Sequence, residues 1–151
     1  MSAVVDASVL IAATSDAGAE GIWAEDVVRA GGLVAPHLVL AEATNILRRL
    51  ELGGRLGRME AGAAAHDLLQ LDLQLVAFAP FAERVWELRA NVTSHDAWYV
   101  AVAEQCDLPL ATLDQRLASA TGPRCRFLLP PSIAKGPARS RLPSGRRRPG
   151  R

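Results

Sequence analysis

Short apolar runs bounded by glycine and proline alternate along this chain with amphipathic stretches of helical length, and this alternation most narrows how it can fold. Strands separated by helices pair in parallel, because each crossover helix returns the chain to the same end of the sheet. The runs predict strands at about Ala3 to Asp6, Leu33 to Ala35, Leu75 to Ala77, Leu110 to Thr112 and Arg126 to Leu128. Helices are predicted between them at about Ser8 to Ala13, Ala19 to Ala30, Leu38 to Leu52, Arg58 to Leu71, Pro80 to Asn91, Ser94 to Cys106 and Asp114 to Ala120. The Gly31-Gly32 and Gly53-Gly54 pairs stop helices, and Pro36, Pro80 and Pro109 mark the starts of elements.

At 151 residues, half of them apolar, the chain suits one domain whose core needs no disulfides. Its two cysteines, Cys106 and Cys125, lack metal-ligand spacing and fit a reduced, cytoplasmic protein. No apolar stretch reaches membrane-spanning length and the N-terminus has no signal-peptide layout, so no membrane association is expected. The G-x-G-x-x-G and Walker patterns are absent, which excludes nucleotide binding by those routes. The net charge of +1 conceals a split. Ser132 to Arg151 carries seven of the seventeen basic residues and none of the sixteen acids, leaving the remainder acidic by about six charges. A folded domain over 1–131 and a basic, disordered tail over 132–151 are therefore expected.

Four acids stand where such a fold places ligands. Asp6 ends the first strand in "VVDASVL", and in open parallel sheets the carboxyl ends of strands line the ligand crevice. Its alternative is a helix cap for "ASVLIAA". In "PHLVLAEATNILRR", helical steps of ~100° group Val39, Ala43, Ile46, Leu47 and Leu50 in one arc with Glu42 just beyond its edge. There Glu42 either leans into a cleft or pairs with Arg49 on the surface. Asp96 opens "TSHDAWYVAVAEQC" at the margin of a stripe of Trp98, Tyr99, Val102, Ala103 and Cys106; a first-turn acid also complements the helix dipole. Asp114, two residues after Thr112, sits at another strand-to-helix junction, as ligand or cap. Convergent carboxylates repel one another, and a divalent cation relieves this. Oxygen donors with few histidines favour Mg²⁺ or Mn²⁺ over zinc, a site chemistry suited to phosphodiester hydrolysis.

The stretches "VVDASVLIA", "APHLVLAEATNILRR" and "SHDAWYVAVAEQCDLPLATLDQRLA" resemble, in order and spacing, the PIN domain, and particularly the VapC-type toxins of bacterial toxin–antitoxin pairs. The match runs from about Ser2 to Leu129. The resemblance implies a three-layer α/β/α sandwich with a five-stranded, mainly parallel sheet in the order 3-2-1-4-5. It also implies a metal-dependent endoribonuclease, homodimeric and bound by a VapB-type antitoxin. By that resemblance Asp6 and Asp96 hold the principal metal, while Glu42 and Asp114 act directly or through water. Ser8 and Thr112 match supporting positions, with helix cap and strand-end hydroxyl as their alternatives. No histidine is required, and His95, beside Asp96, is the one of the three worth testing. Trp23, Trp86 and Trp98 are expected in the core or a dimer contact, an exposed one being able to stack a base.

The alternative class is a catalytically inactive or regulatory Mg²⁺-binding α/β interaction module. A receiver-type module needs a lysine after a late strand, and the sole lysine is Lys135, in the tail. A haloacid-type phosphatase needs an aspartate at position 8, where Ser8 stands.

Overall fold

The computed structural model describes residues 2–134. Five strands form one sheet: β1 (Ala3–Val5), β2 (Leu33–Pro36), β3 (Leu73–Val76), β4 (Leu110–Ala111) and β5 (Phe127–Leu128). Their order is β3-β2-β1-β4-β5 and every neighbouring pair is parallel. Eight helices surround them: α1 (Ala7–Ser15), α2 (Ala19–Arg29), α3 (Val39–Leu52), α4 (Arg58–Leu68), α5 (Ala82–Glu87), α6 (Ser94–Cys106), α7 (Gln115–Ala118) and α8 (Pro131–Ala134). Every residue of β1 and β2 is buried. Since successive side chains of a strand point to opposite faces, both faces of the sheet are covered. The helices divide accordingly: α1 packs with α2, α3 and α4, whereas α5 packs on α6, which lies against β1 and β2. This is the expected three-layer arrangement.

The outermost elements moved most from their sequence-based bounds. β3 begins at Leu73 rather than Leu75, because its register against β2 pairs Leu33 with Leu73 and Pro36 with Val76. The helix expected over Pro80 to Asn91 is α5 flanked by two 3₁₀ turns, Ala79–Phe81 and Leu88–Ala90. Phe81, Val85 and Leu88 still bury one face, so the helical spacing persists while the hydrogen bonding tightens at both ends. α6 has the expected bounds but a wider buried surface. Ala97, Val100 and Ala101 are buried as well as Tyr99, Val102 and Ala103, since the helix is wedged between the sheet and α5. Cys106, expected in its stripe, is exposed at the C-terminal end, and Trp98 is half-buried, its ring nearly perpendicular to that of Phe78 with the centres 5.1 Å apart.

Two local devices fix the frame. A Cβ on Gly21 would stand 1.8 Å from the Asp16 carbonyl oxygen, so only glycine lets α2 start this close to the end of α1. Arg84 on α5 grips Glu104 on α6 through Nε (2.7 Å) and Nη2 (3.0 Å), and Nη2 also donates to the Gly122 carbonyl. Burial opposes ionisation of Glu104, but the bonds from Arg84 and the Arg124 backbone N–H outweigh it and hold its pKa below the usual value.

Ser132–Ala134, which the sequence assigns to the tail, complete α8, and the Ser132 hydroxyl donates to Glu20 of α2 at 3.2 Å. The rest of the expected basic tail lies outside the described residues. Among the described residues no helix is long and apolar enough to cross a membrane.

Candidate active site

The sheet order puts β1 beside β4, and the loops leaving their carboxyl ends are stitched together around Asp6. Asp6 is buried and caps α1 by accepting the Val9 N–H at 3.2 Å, as the capping alternative expected. Its Oδ1 also accepts the Ser8 hydroxyl at 2.5 Å, and its Oδ2 accepts the Thr112 hydroxyl. Both hydroxyls are held from behind. Ser8 Oγ accepts the Leu113 N–H at 3.1 Å and Thr112 Oγ1 accepts the Asp114 N–H at 2.9 Å. Of about four acceptor positions on a carboxylate, three are used, which leaves one on Oδ2 for a ligand. Burial raises the Asp6 pKa to about 6, against the lowering effect of the bonds from Ser8, Thr112 and the backbone. An ionised carboxylate here is therefore under strain that a bound cation relieves.

Glu42 stands in the first turn of α3, and its partner is Tyr99 rather than Arg49. The Tyr99 hydroxyl donates to Glu42 Oε2 at 2.5 Å, leaving Oε1 3.9 Å from Nδ1 of His95. Asp96 lies three residues before Tyr99, on the same face of α6. Thr93 caps that helix reciprocally: its Oγ1 accepts the Asp96 N–H at 3.3 Å and its hydroxyl donates to Asp96 Oδ2 at 3.0 Å. Tyr99 joins the group. Burial, the bond to Glu42, and the negative charges of Glu42, Asp6 and Asp96 all raise the pKa of its phenol, which stays protonated.

Glu42 of α3 is thus bonded to a hydroxyl three residues beyond Asp96 on α6, and α6 lies against β1, which Asp6 follows. Asp114 differs. Its side chain is turned onto α7, where Oδ1 accepts the Arg116 and Leu117 N–H groups, and it joins the others only through its backbone bond to Thr112. Among the described residues the one ionisable base beside these carboxylates is His95, whose side chain is 71% exposed. His37 and His66 have no bond to the group, and Trp86 is exposed with the Arg89 guanidinium 4.5 Å from its ring centre.

Sequence reasoning placed Tyr99 in the buried stripe but gave it no part in the site. The available signal was its spacing: three residues after Asp96, on the face turned toward the acids. Thr93 was missed too, although a threonine three residues before an aspartate is the mark of a capping box.

The donor set is all oxygen, which fits Mg²⁺ or Mn²⁺. Among the described residues no three His, Cys, Asp or Glu side chains close into a preformed cage. Mg²⁺ does not require one, since it takes one or two carboxylates and keeps several waters. Thr112→Val preserves shape while removing the donor to Asp6 Oδ2 and the acceptor for the Asp114 N–H. It is expected to cost about 1–3 kcal/mol in urea unfolding and to push the Asp6 pKa higher still.

The comparisons with known proteins agree with this fold. Residues 3–123 match the model of the PIN domain. Ribonuclease VapC1 of Mycobacterium tuberculosis is 39% identical over 127 residues, covering 83% of this chain and 96% of the relative. Ribonuclease VapC9 of the same species is 36% identical over 128 residues, covering 85% and 98%. The crystal structure of PAE2754 from Pyrobaculum aerophilum superposes with a TM-score of 0.62 at 27% identity, covering 89% of this chain and 94% of that one. With a five-stranded parallel sheet ordered 3-2-1-4-5 and this kinship over most of its length, the chain belongs to the PIN-domain family, among the VapC proteins.

Proposed function

We propose that this chain is a metal-dependent endoribonuclease acting as the toxin of a VapBC-type toxin–antitoxin pair. One observation carries the reading: the Tyr99 hydroxyl donates to Glu42 Oε2 at 2.5 Å and so joins α3 to the helix that carries Asp96, that helix lies against β1, which Asp6 follows, and no lysine or arginine among the described residues pairs with the three acids. The VapC relatives that this chain matches over nearly their whole length are named ribonucleases, which supports the same activity here. Its partners are RNA, a VapB-type antitoxin and a second copy of the chain.

Asp6 and Asp96 would hold Mg²⁺ or Mn²⁺, with Glu42 contributing directly or through water, and Asp114, whose Oδ1 caps α7, would contribute through its other oxygen or through water. When bound, the ion lowers the pKa of a water and polarises a phosphodiester oxygen. The side chains supply orientation. Ser8 and Thr112 fix the Asp6 carboxylate and leave one Oδ2 position without a protein donor, and Thr93 fixes Asp96 while leaving Oδ1 unengaged by it. Glu42 keeps Oε1 for a water that attacks the phosphate in line, because Tyr99 occupies Oε2. No histidine is required to move a proton.

Purified protein is expected to cleave RNA only with Mg²⁺ or Mn²⁺, to lose activity in EDTA, and to leave 5′-phosphate and 3′-hydroxyl ends. End-group analysis checks this. Ends bearing a 2′,3′-cyclic phosphate, formed in EDTA, would mean acid–base catalysis through a residue such as His95 and would overturn the assignment.

A further inference from the structure

Tyr99 is the largest fully buried side chain, 1% exposed, and yet its one polar atom is turned to an acid on another helix. α6 delivers both Asp96 and, three residues on, this phenol, so the two leave the helix on one face. Glu42 comes from α3, which packs with α1 and α4, whereas α6 lies against the strands. A glutamate in the first turn of a helix has three rotatable bonds, and among the described residues no side chain of α3 bonds the Glu42 carboxylate. The Tyr99 hydroxyl at 2.5 Å is the hydrogen bond that fixes it.

We propose that Tyr99 is a positioning residue for the acidic centre, tying Glu42 of α3 to the Asp96 face of α6 so that Glu42 Oε1 is presented together with Asp6 and Asp96. This rests on the metal-dependent reading above. The phenol touches neither substrate nor ion: it engages Oε2, sets the rotamer of Glu42, and leaves Oε1 for a water or the cation. A neutral donor suits this task. It orients a carboxylate without neutralising it, where lysine or arginine in the same place would cancel the charge that draws a divalent ion.

The test is a double-mutant cycle with two readouts. Tyr99→Phe keeps the buried ring and removes only the hydroxyl, so the chain keeps its core; Glu42→Gln removes the charge it orients. Mn²⁺ titration calorimetry on RNA-free protein is expected to show about ten- to a hundredfold weaker binding in Tyr99→Phe, the scale of one lost bond to a charged group. RNA cleavage at saturating substrate is expected to fall by a similar factor with KM for RNA unchanged. In the Glu42→Gln background the same Tyr99→Phe substitution is expected to change neither quantity further, because Tyr99 acts through Glu42. Equal Mn²⁺ affinity in Tyr99→Phe and the unaltered chain would overturn the proposal, as would a Tyr99→Phe effect that persists in full in the Glu42→Gln background. The nuclease reading fails separately, by absence of cleavage from the unaltered chain, and the Mn²⁺ titration decides the role of Tyr99 even then.

Discussion

Asp96→Asn and Asp6→Asn proteins, each at saturating Mg²⁺, are expected to cleave RNA about a thousandfold more slowly than the unaltered chain, a loss of about 4 kcal/mol from the transition state. Each change keeps the outline of the side chain and removes one negative charge from a centre with which, among the described residues, no lysine or arginine pairs. Both folds should survive. The Thr93 cap can still bond an amide at position 96, and α1 keeps an oxygen at position 6 for the Val9 N–H. Cleavage assays on one RNA, with circular dichroism to establish folding, separate lost chemistry from lost structure. Undiminished cleavage by folded Asp96→Asn protein would remove Asp96 from the site.

The stability of the metal-free protein is expected to fall as pH rises through the Asp6 titration. The unfolded carboxyl titrates at the ordinary value of 3.8 and the folded one at about 6, because burial penalises the charge. Between those values the folded state binds more protons than the unfolded state, so stability decreases with rising pH; below both it is unaffected, and above both the loss is complete. Two pKa units correspond to about 3 kcal/mol. Urea unfolding in EDTA at about pH 5 and about pH 7.5, compared between the unaltered chain and Asp6→Asn, isolates this contribution from those of other groups. The unaltered chain should lose stability relative to the variant over that interval, and Mg²⁺ or Mn²⁺ at the higher pH should restore it by binding only the folded form. Parallel pH profiles for the two proteins would show that Asp6 carries no such strain.

Much of the frame was legible in the sequence because its signals are local. α6 runs over Ser94–Cys106 as its periodicity implied, since Thr93 caps one end and Asp107, at a φ of 51°, terminates the other. Asp6 and Asp114 were recognisable as strand-to-helix junctions, and both do cap the helices that follow. Ser8 and Thr112 were marked as supports of the site, and each donates to Asp6. The resemblance supplied the strand order that brings the first and fourth strands together, an order that periodicity alone does not encode.

What the sequence by itself determined, then, was the succession of strands and helices and the caps, with the acids marked as candidates by their places at strand ends and helix starts, because propensity, periodicity and capping act over a few residues. Tertiary structure decided which of those acids meet. Thr112 reaches Asp6 across 106 positions and Tyr99 reaches Glu42 across 57, contacts that exist only once β4 lies beside β1 and α6 is packed against the sheet. Packing likewise decided that the hydroxyl of Tyr99, whose ring lies in the core as helical spacing implied, ends at a carboxylate, while the Asp114 side chain remains on its own helix. A period of 3.6 fixes the face on which a side chain leaves its helix; what it meets there is fixed by the segment that packing brings opposite.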